Sequence, residues 1–118
     1  LSKYEGFGLP FREAMATGLP VIVSANSGHL EDIDPEYNIP IETEHWEKAE
    51  QYGDGMWAIP NWEQAADALL QLYSEWHENG CRQLDMGRRA ARWIRRRRGW
   101  DKTIDGVLGV IREHMGNG

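Results

Sequence analysis

The sequence predicts an α/β fold with parallel strands that ends in two or three helices. A helical pattern begins at Phe11 and stops at Gly18, which is a typical residue after a helix C-terminus. Residues 20–24 follow, and their β-branched residues Val21, Ile22 and Val23 run without polar alternation, as expected for a strand buried on both faces. A helix followed closely by a buried strand is the repeating unit of a parallel α/β sheet.

The segments around this unit are shorter and less regular. Residues 1–4 are expected to be the tail of a strand, and residues 29–33 one helical turn. Residues 34–55 are expected to be irregular because prolines and glycines interrupt them. Short strands are expected at residues 37–41, within this segment, and at residues 56–59, directly after it.

Three helical patterns fill the last half of the chain. Asn61 caps the first, Asn79-Gly80 ends it, and the second runs from about Cys81 to Arg98. A third follows Gly99. We expect the apolar face of each helix to enter the core, together with most of the six tryptophans. These faces are Trp62, Ala65, Ala66, Leu69, Tyr73 and Trp76 on the first helix; Leu84, Gly87, Ala91 and Ile94 on the second; and Ile104, Val107, Leu108, Ile111 and Met115 on the third.

Composition and charge narrow the function. The 118 residues are 41% hydrophobic and 27% charged, which is typical of a folded protein with a core. Seven arginines lie between Arg88 and Arg98, and the rest of the chain carries a net charge of −13 within a total of −6. This acidic body disfavours general nucleic-acid binding, because its field repels phosphates.

Location and extent also have sequence signals. No apolar run reaches the roughly 20 residues that cross a bilayer, and no signal peptide is visible. The lone Cys81 has no disulfide partner, is interpreted as structural, and favours a cytoplasmic setting. Because Leu1 is not a methionine, we expect the chain to be part of a longer protein and to be inactive alone.

The segment from Glu5 to Glu13 places one carboxylate in a glycine loop and a second within the following helix. The amides at a helix N-terminus bind phosphate groups, and carboxylates accept hydrogen bonds from sugar hydroxyls. A nucleotide sugar would suit this arrangement. The same residues are also typical of a tight turn whose acids favour the helix dipole, and the pattern alone leaves both interpretations open.

The sequence of this segment resembles that of retaining GT-B glycosyltransferases, most closely those of family 4. The matching features are two glutamates with seven residues between them, Glu-Gly-Phe-Gly-Leu-Pro, Glu-Ala-Met-Ala and Gly-x-Pro-Val-Ile. Looser matches are Trp57-Ala58-Ile59-Pro60, Arg88-Arg89-Ala90-Ala91 and Gly99-Trp100. The resemblance implies a partial Rossmann-like GT-B C-terminal domain, with residues 1–60 binding a nucleotide sugar and residues 61–118 forming its last helices.

The resemblance also implies the site. Glu5 would contact the transferred sugar and Glu13 the ribose, while Gly6 and the amides of Phe7, Gly8 and Leu9 would face the sugar and diphosphate. The implied donor is a nucleoside-diphosphate sugar, the acceptor is open between lipid-linked and polysaccharide hydroxyls, and no metal or cofactor is required. The basic pair that holds the diphosphate in the family lies upstream of this segment.

Two stretches depart from the family pattern. Ser27-Gly28 and Leu30-Glu31 replace a Gly-Gly and a Pro-Glu, which leaves the shape of that loop open. Residues 37–54 resemble an acidic insertion, in which Trp46 could stack on a sugar, as could Trp57 just after it.

Other interpretations remain. The arginines of residues 88–98 are interpreted as a solvated face, with peripheral contact to anionic lipid at the inner membrane face as the alternative. His29 is interpreted as a polar loop residue rather than a general base. For the whole protein, the alternatives are a phosphorylase or epimerase of the same fold, a non-catalytic nucleotide-sugar-binding module, and a membrane-surface scaffold.

Overall fold

The computed structural model describes residues 1–79 and 82–115 of the chain. The predictions that Gly80 ends a helix and that Cys81 is a structural thiol lie outside the described residues. In chain order the elements are α1 (Leu9–Ala16), β1 (Ile22–Ser24), a 3₁₀ helix (Ser27–Asp32), β2 (Ile39–Ile41), β3 (Thr43–Lys48), a second 3₁₀ helix (Glu50–Tyr52), β4 (Met56–Pro60), α2 (Trp62–Asn79), α3 (Arg82–Arg98) and α4 (Trp100–Met115).

The predicted α/β class is confirmed by the parallel pairing of β1 with β2. Ile22 lies opposite Ile39, and the amide of Ile39 donates to the carbonyl of Val21 over 2.8 Å. Both strands lie within the segments predicted for them. With three helices after residue 61 in the described part of the chain, the architecture is consistent with part of a GT-B Rossmann-like domain.

The prediction of an irregular segment at residues 43–48 is wrong. These residues form β3, which pairs antiparallel with β4 and has an irregularity between Thr43 and His45. Most side chains of β3 are exposed, so the strand lacks the alternation of apolar and polar residues that identifies strands in a sequence.

The prediction of a strand tail at residues 1–4 is also wrong. This segment is extended but is held mainly through side chains. The amide of Ser2 donates to the hydroxyl of Ser24 over 2.8 Å, and the side-chain amide of Asn26 donates to the carbonyl of Ser2 over 2.8 Å. The expected helical turn at residues 29–33 is present as the 3₁₀ helix Ser27–Asp32.

The core lies between α1, β1 and α3. Its buried side chains are Phe11, Met15, Val23, Ala90 and Ile94. The helices α1 and α3 approach closely because Gly87 has no side chain: a Cβ atom there would lie 2.4 Å from the carbonyl oxygen of Gly18. The predicted inner face of α3 is thus confirmed at Gly87, Ala91 and Ile94, whereas Leu84 is half-buried.

The prediction that the apolar faces of α2 and α4 enter the core is wrong for this chain. On α2, Ala65 is buried, but Trp62, Leu69, Tyr73 and Trp76 are each more than half exposed. The helix α4 has no buried residue. Helical periodicity identifies an apolar face but not whether another element covers it.

The start of α2 is as expected, because the side-chain oxygen of Asn61 accepts a hydrogen bond from the amide of Gln64 over 2.9 Å. No helix in the described part of the chain has both the length and the apolar character needed to cross a membrane.

Candidate functional site

The glycine loop (residues 5–8) leads directly into α1. Gly8 is the N-cap of α1 with φ 73° and ψ 45°, and no side chain caps the helix there. Within the described residues, no group accepts a hydrogen bond from the amides of Phe7 or Leu9. The N-terminus of α1 therefore presents free backbone donors at the positive end of its dipole.

His29 fixes the shape of this junction. It is 5% exposed, and its Nδ1 lies 3.0 Å from the carbonyl oxygen of Ser24, which can only accept, so Nδ1 carries the proton. A Cβ atom at Gly8 would lie 2.3 Å from the His29 ring. The ring also packs edge-on against Phe11, with ring centroids 5.2 Å apart. His29 is therefore a packed residue and not the polar loop residue expected.

The loop that departs from the family pattern packs against the glycine loop. The hydroxyl of Ser27 accepts a hydrogen bond from the amide of Glu5, and the amide of Gly28 donates to the carbonyl of Glu5, each over 2.9 Å. A Cβ atom at Gly28 would lie 2.1 Å from the carbonyl oxygen of Gly6. Only glycine permits this contact between the two loops.

The two glutamates of the motif have different surroundings. Glu5 is half-buried in the glycine loop, and Glu13 is exposed on α1. Neither carboxylate forms a hydrogen bond or ion pair with any residue in the described ranges. Both are thus available to accept hydrogen bonds from a ligand.

A buried ion-pair network that the sequence did not predict lies behind the junction. Asp32 has no exposed side-chain surface, and its Oδ2 accepts a hydrogen bond from Nε of Arg12, which is 4% exposed, over 2.5 Å. Nε of Arg97 donates to Oδ1 over 2.8 Å, and Nε of Arg98 donates to Oδ2 over 3.0 Å. One carboxylate therefore joins α1, the 3₁₀ helix and the end of α3.

These partners decide the protonation of Asp32. Burial by itself raises the pKa of the carboxyl, but hydrogen bonds from the three guanidinium groups outweigh it and hold this pKa below its ordinary value of 3.8. The same pairing, chiefly the hydrogen bond to Asp32, raises the pKa of Arg98. The network is therefore fully charged at neutral pH.

Arg12 extends the network toward the glycine loop. Its guanidinium carbon lies 3.9 Å from the centroid of the Phe7 ring, and Nη2 donates to the carbonyl of Gly28 over 3.2 Å. Nη1 is buried without a hydrogen-bond partner. No local sequence signal indicates this role, because Arg12 and Asp32 are 20 residues apart.

A comparison with family models places these features in a known group. The model described as glycosyl transferases group 1 matches residues 1–93, which include the glycine loop, α1, both 3₁₀ helices named above, the strands β1 to β4, α2 and most of α3. The chain belongs to the group 1 glycosyltransferases. A comparison with curated proteins finds no match.

The match to the group 1 glycosyltransferases ends at Trp93, so the last arginines of α3 lie beyond it. They do not form one solvated face. Besides the pairing of Arg97 and Arg98 with Asp32, Arg95 donates to the carbonyl of Ala16 over 2.6 Å. In the described part of the chain, Arg92 and Arg96 form no hydrogen bond or ion pair.

The site residues expected for this group 1 glycosyltransferase thus fall in two adjoining elements, with Glu5, Gly6, Phe7 and Gly8 in the glycine loop and Leu9 and Glu13 in α1. Trp46, on β3, and Trp57, on β4, lie in neighbouring antiparallel strands. Among the described residues, no cluster of three or more His, Cys, Asp or Glu could hold a metal ion.

Proposed function

We propose that this chain is the donor-binding part of a retaining glycosyltransferase of family 4 type. The enzyme would transfer a sugar from a nucleoside diphosphate to an acceptor hydroxyl and retain the anomeric configuration. The observation that carries the proposal is the N-terminus of α1, where unpartnered amides stand between two unpartnered carboxylates. In this proposal residues 1–60 bind the donor, and residues 61–118 complete the same domain.

The diphosphate would lie at the start of α1. The amides of Phe7 and Leu9 are free to donate to phosphate oxygens, and the helix dipole favours negative charge there. The diphosphate leaving group gains negative charge as its bond to the sugar breaks. Backbone amides fixed in place as hydrogen-bond donors therefore stabilise the transition state more than the ground state. The protein contributes position and charge, and the proposal requires no metal or cofactor.

The two glutamates would orient the donor without attacking it. The half-buried Glu5 would accept hydrogen bonds from hydroxyls of the transferred sugar, and the exposed Glu13 would accept them from the ribose. A carboxylate can accept hydrogen bonds from both hydroxyls of a ribose at once. Gly6 keeps the backbone open, because a Cβ atom there would meet no protein atom within 4 Å and would instead enter the space proposed for the ligand.

Donor binding tests these roles. Glu13→Gln should weaken binding of a free nucleoside diphosphate at least about tenfold, because a charged acceptor of two hydroxyls is replaced by a neutral one. Glu5→Gln should weaken binding of the nucleotide sugar but not of the free diphosphate. Titration calorimetry over a panel of uridine, guanosine and adenosine diphosphates and their sugars measures both effects.

Glu113→Gln is the matched control, because Glu113 is an exposed carboxylate on α4, distant in sequence from the glycine loop. If Glu13→Gln stays within about threefold of the parent chain while the control is unchanged, the ribose role is wrong. Turnover of the nucleotide sugar, measured with the same substitutions, tests the catalytic part of the proposal.

Product analysis separates the other readings of the fold. A phosphorylase consumes inorganic phosphate, an epimerase alters the sugar without an acceptor, and a binding module holds the nucleotide sugar unchanged. The acceptor hydroxyl would belong either to a lipid-linked molecule or to a polysaccharide. We place the reaction on the cytoplasmic side, with peripheral contact to the inner membrane face. A retained anomeric configuration in the product is the outcome that supports the proposed transferase.

A further inference from the structure

A cavity of about 440 Å³ lies on the side of α3 where it meets the start of α4, and no residue of the glycine loop or α1 lines it. Five of its lining residues are basic: Arg89, Arg92, Arg96, Arg97 and Lys102. No carboxylate belongs to the lining that the structure describes. In a chain with a net charge of −6, this concentration of positive charge is unusual.

Most of these cations have no internal counter-charge. Arg97 pairs with Asp32, and Arg89 has only a long contact of 3.4 Å with the carbonyl oxygen of Glu36. Over the described ranges, Arg92, Arg96 and Lys102 form no hydrogen bond or ion pair. Like charges that face one cavity repel each other, so an anion placed between them is favoured.

The remaining wall of the cavity is aromatic and well packed. The rings of Tyr37 and Trp93 stack with their centroids 4.9 Å apart and their planes 20° apart. The guanidinium carbon of Arg97 lies 5.3 Å from the centroid of the Trp93 ring. These contacts connect the turn before β2 with α3, and they give the cavity a wall that is packed without a ligand.

We propose that this cavity binds a phosphate-bearing polyanion, held chiefly by Arg92, Arg96 and Lys102. Arg92 and Arg96 lie one helical turn apart, so their guanidinium groups can bind neighbouring phosphate groups. Each guanidinium can donate two parallel hydrogen bonds to one phosphate, which is the bidentate geometry that arginine favours. Lys102 adds a point charge from α4. The cavity shares no lining residue with the proposed donor site, and anion binding there is expected even if the proposed function is wrong.

The same chemistry is offered by a soluble polyphosphate and by the headgroups of anionic phospholipids. Inorganic tripolyphosphate, titrated into the chain by calorimetry at two salt concentrations, represents the soluble source. Sedimentation with vesicles of phosphatidylglycerol and phosphatidylcholine in equal parts, against vesicles of phosphatidylcholine alone, represents the lipid source. Binding should weaken with added salt, because the ligand replaces bound counterions.

The deciding variant is Arg92→Gln with Arg96→Gln. Both side chains are exposed and unpartnered, so the native fold should survive, which thermal unfolding checks. The matched control is Arg88→Gln with Arg112→Gln, which removes the same charge from exposed positions outside the cavity. The first pair should weaken binding at least about tenfold, and the control pair should leave it nearly unchanged.

Each result has a defined meaning. Tripolyphosphate binding that is lost in the first pair only supports the site with a soluble ligand, and vesicle binding lost in the same way supports it with a lipid headgroup. Equal weakening by both pairs shows a general charge effect and overturns the proposal. Absence of binding to both probes overturns it as well.

Discussion

Asp32 is the residue on which the candidate site depends most. Its carboxylate is completely buried and accepts hydrogen bonds from three arginines that are 20, 65 and 66 residues away in sequence. Burial of charge is unfavourable unless each charge is paired, so removal of the shared carboxylate takes from the buried Arg12 the ion pair that it forms. Arg97 and Arg98 would keep hydrogen bonds to Glu31. The stability of the loop beside α1 therefore depends on this single side chain.

Asp32→Asn should lower the free energy of unfolding by about 3 kcal/mol at neutral pH, the lower end expected for a broken buried pair because Arg97 and Arg98 are partly exposed. Urea unfolding followed by circular dichroism measures the change. Asp85→Asn removes the exposed partner of Arg88 and should change the same quantity by less than about 0.5 kcal/mol.

The dependence on pH has a definite sign. Because the folded-state pKa of Asp32 is below that of the unfolded chain, its contribution to stability is complete above the ordinary value of 3.8 and is lost as pH falls through the folded pKa. The parent chain should lose stability below about pH 4, and Asp32→Asn should lose less over the same range. If the free energy of unfolding falls equally with pH in the two proteins, this loss of stability does not come from Asp32.

Gly8 is the second residue that the site requires. Gly8→Ala should cost about 2 kcal/mol of stability, because alanine at φ 73° is strained and its Cβ would meet the His29 ring. Gly6→Ala is the control, since a Cβ there meets no atom within 4 Å. Unfolding experiments compare the two, and the ring signals of His29 in NMR spectra should move in Gly8→Ala. If both variants lose the same stability, His29 does not fix the loop.

At the scale of elements, the sequence predicted what periodicity and local residues determine. The helix after the glycine loop, the cap at Asn61, the buried strand β1 and the inner face of α3 all follow from neighbouring residues. The strand β3 was missed because its side chains are mostly exposed, so no alternation marks it. Pairing across long sequence separations, as between Arg12 and Asp32, leaves no local signal.

For α2 and α4, the prediction overestimated burial. Their apolar stripes are regular and were predicted to be buried, yet within the described structure most of these side chains are exposed. An apolar stripe indicates only that a helix can pack on one side, and the packing partner is a property of the tertiary structure.

Close packing of α1 against α3 has its own test. Gly87→Ala should destabilise the chain by about 2 kcal/mol, because the added Cβ would contact backbone atoms of Gly18 and Leu19, which cannot move aside easily. Gly106→Ala, at an open position of α4, should instead increase helix content, since alanine favours helices by about 1 kcal/mol over glycine. Circular dichroism and urea unfolding measure both changes. Similar effects of the two substitutions would show that α3 does not need the small residue.

At the scale of the whole molecule, the chain is flat and extended. Its principal extents are 62, 44 and 16 Å and its radius of gyration is 18.0 Å, whereas a compact chain of this length has a radius of about 13.5 Å. Its accessible surface is 8397 Å², against about 6,600 Å² for a compact protein of this mass. The exposed apolar side chains of α2 and α4 contribute to this excess.

These faces should make the isolated chain self-associate as its concentration rises. Ile104→Lys should lower the association constant by about tenfold, because burial of one isoleucine contributes about 1.5 kcal/mol or more. Thr103→Lys is the control, since it adds the same charge at the neighbouring exposed position. Sedimentation velocity measures the association, and an equal decrease in both variants would indicate that charge rather than apolar surface governs it.

The position of Asp32 between the two proposed sites has a thermodynamic consequence. One of its oxygens holds Arg97, which lines the basic cavity, and the other holds Arg12, which lies under the Phe7 ring beside the start of α1. An anion that attracts Arg97 competes with Asp32 and so alters the support of the glycine loop. Coupling between two binding equilibria is reciprocal, so any factor by which the anion changes the affinity for the nucleotide is also the factor by which the nucleotide changes the affinity for the anion.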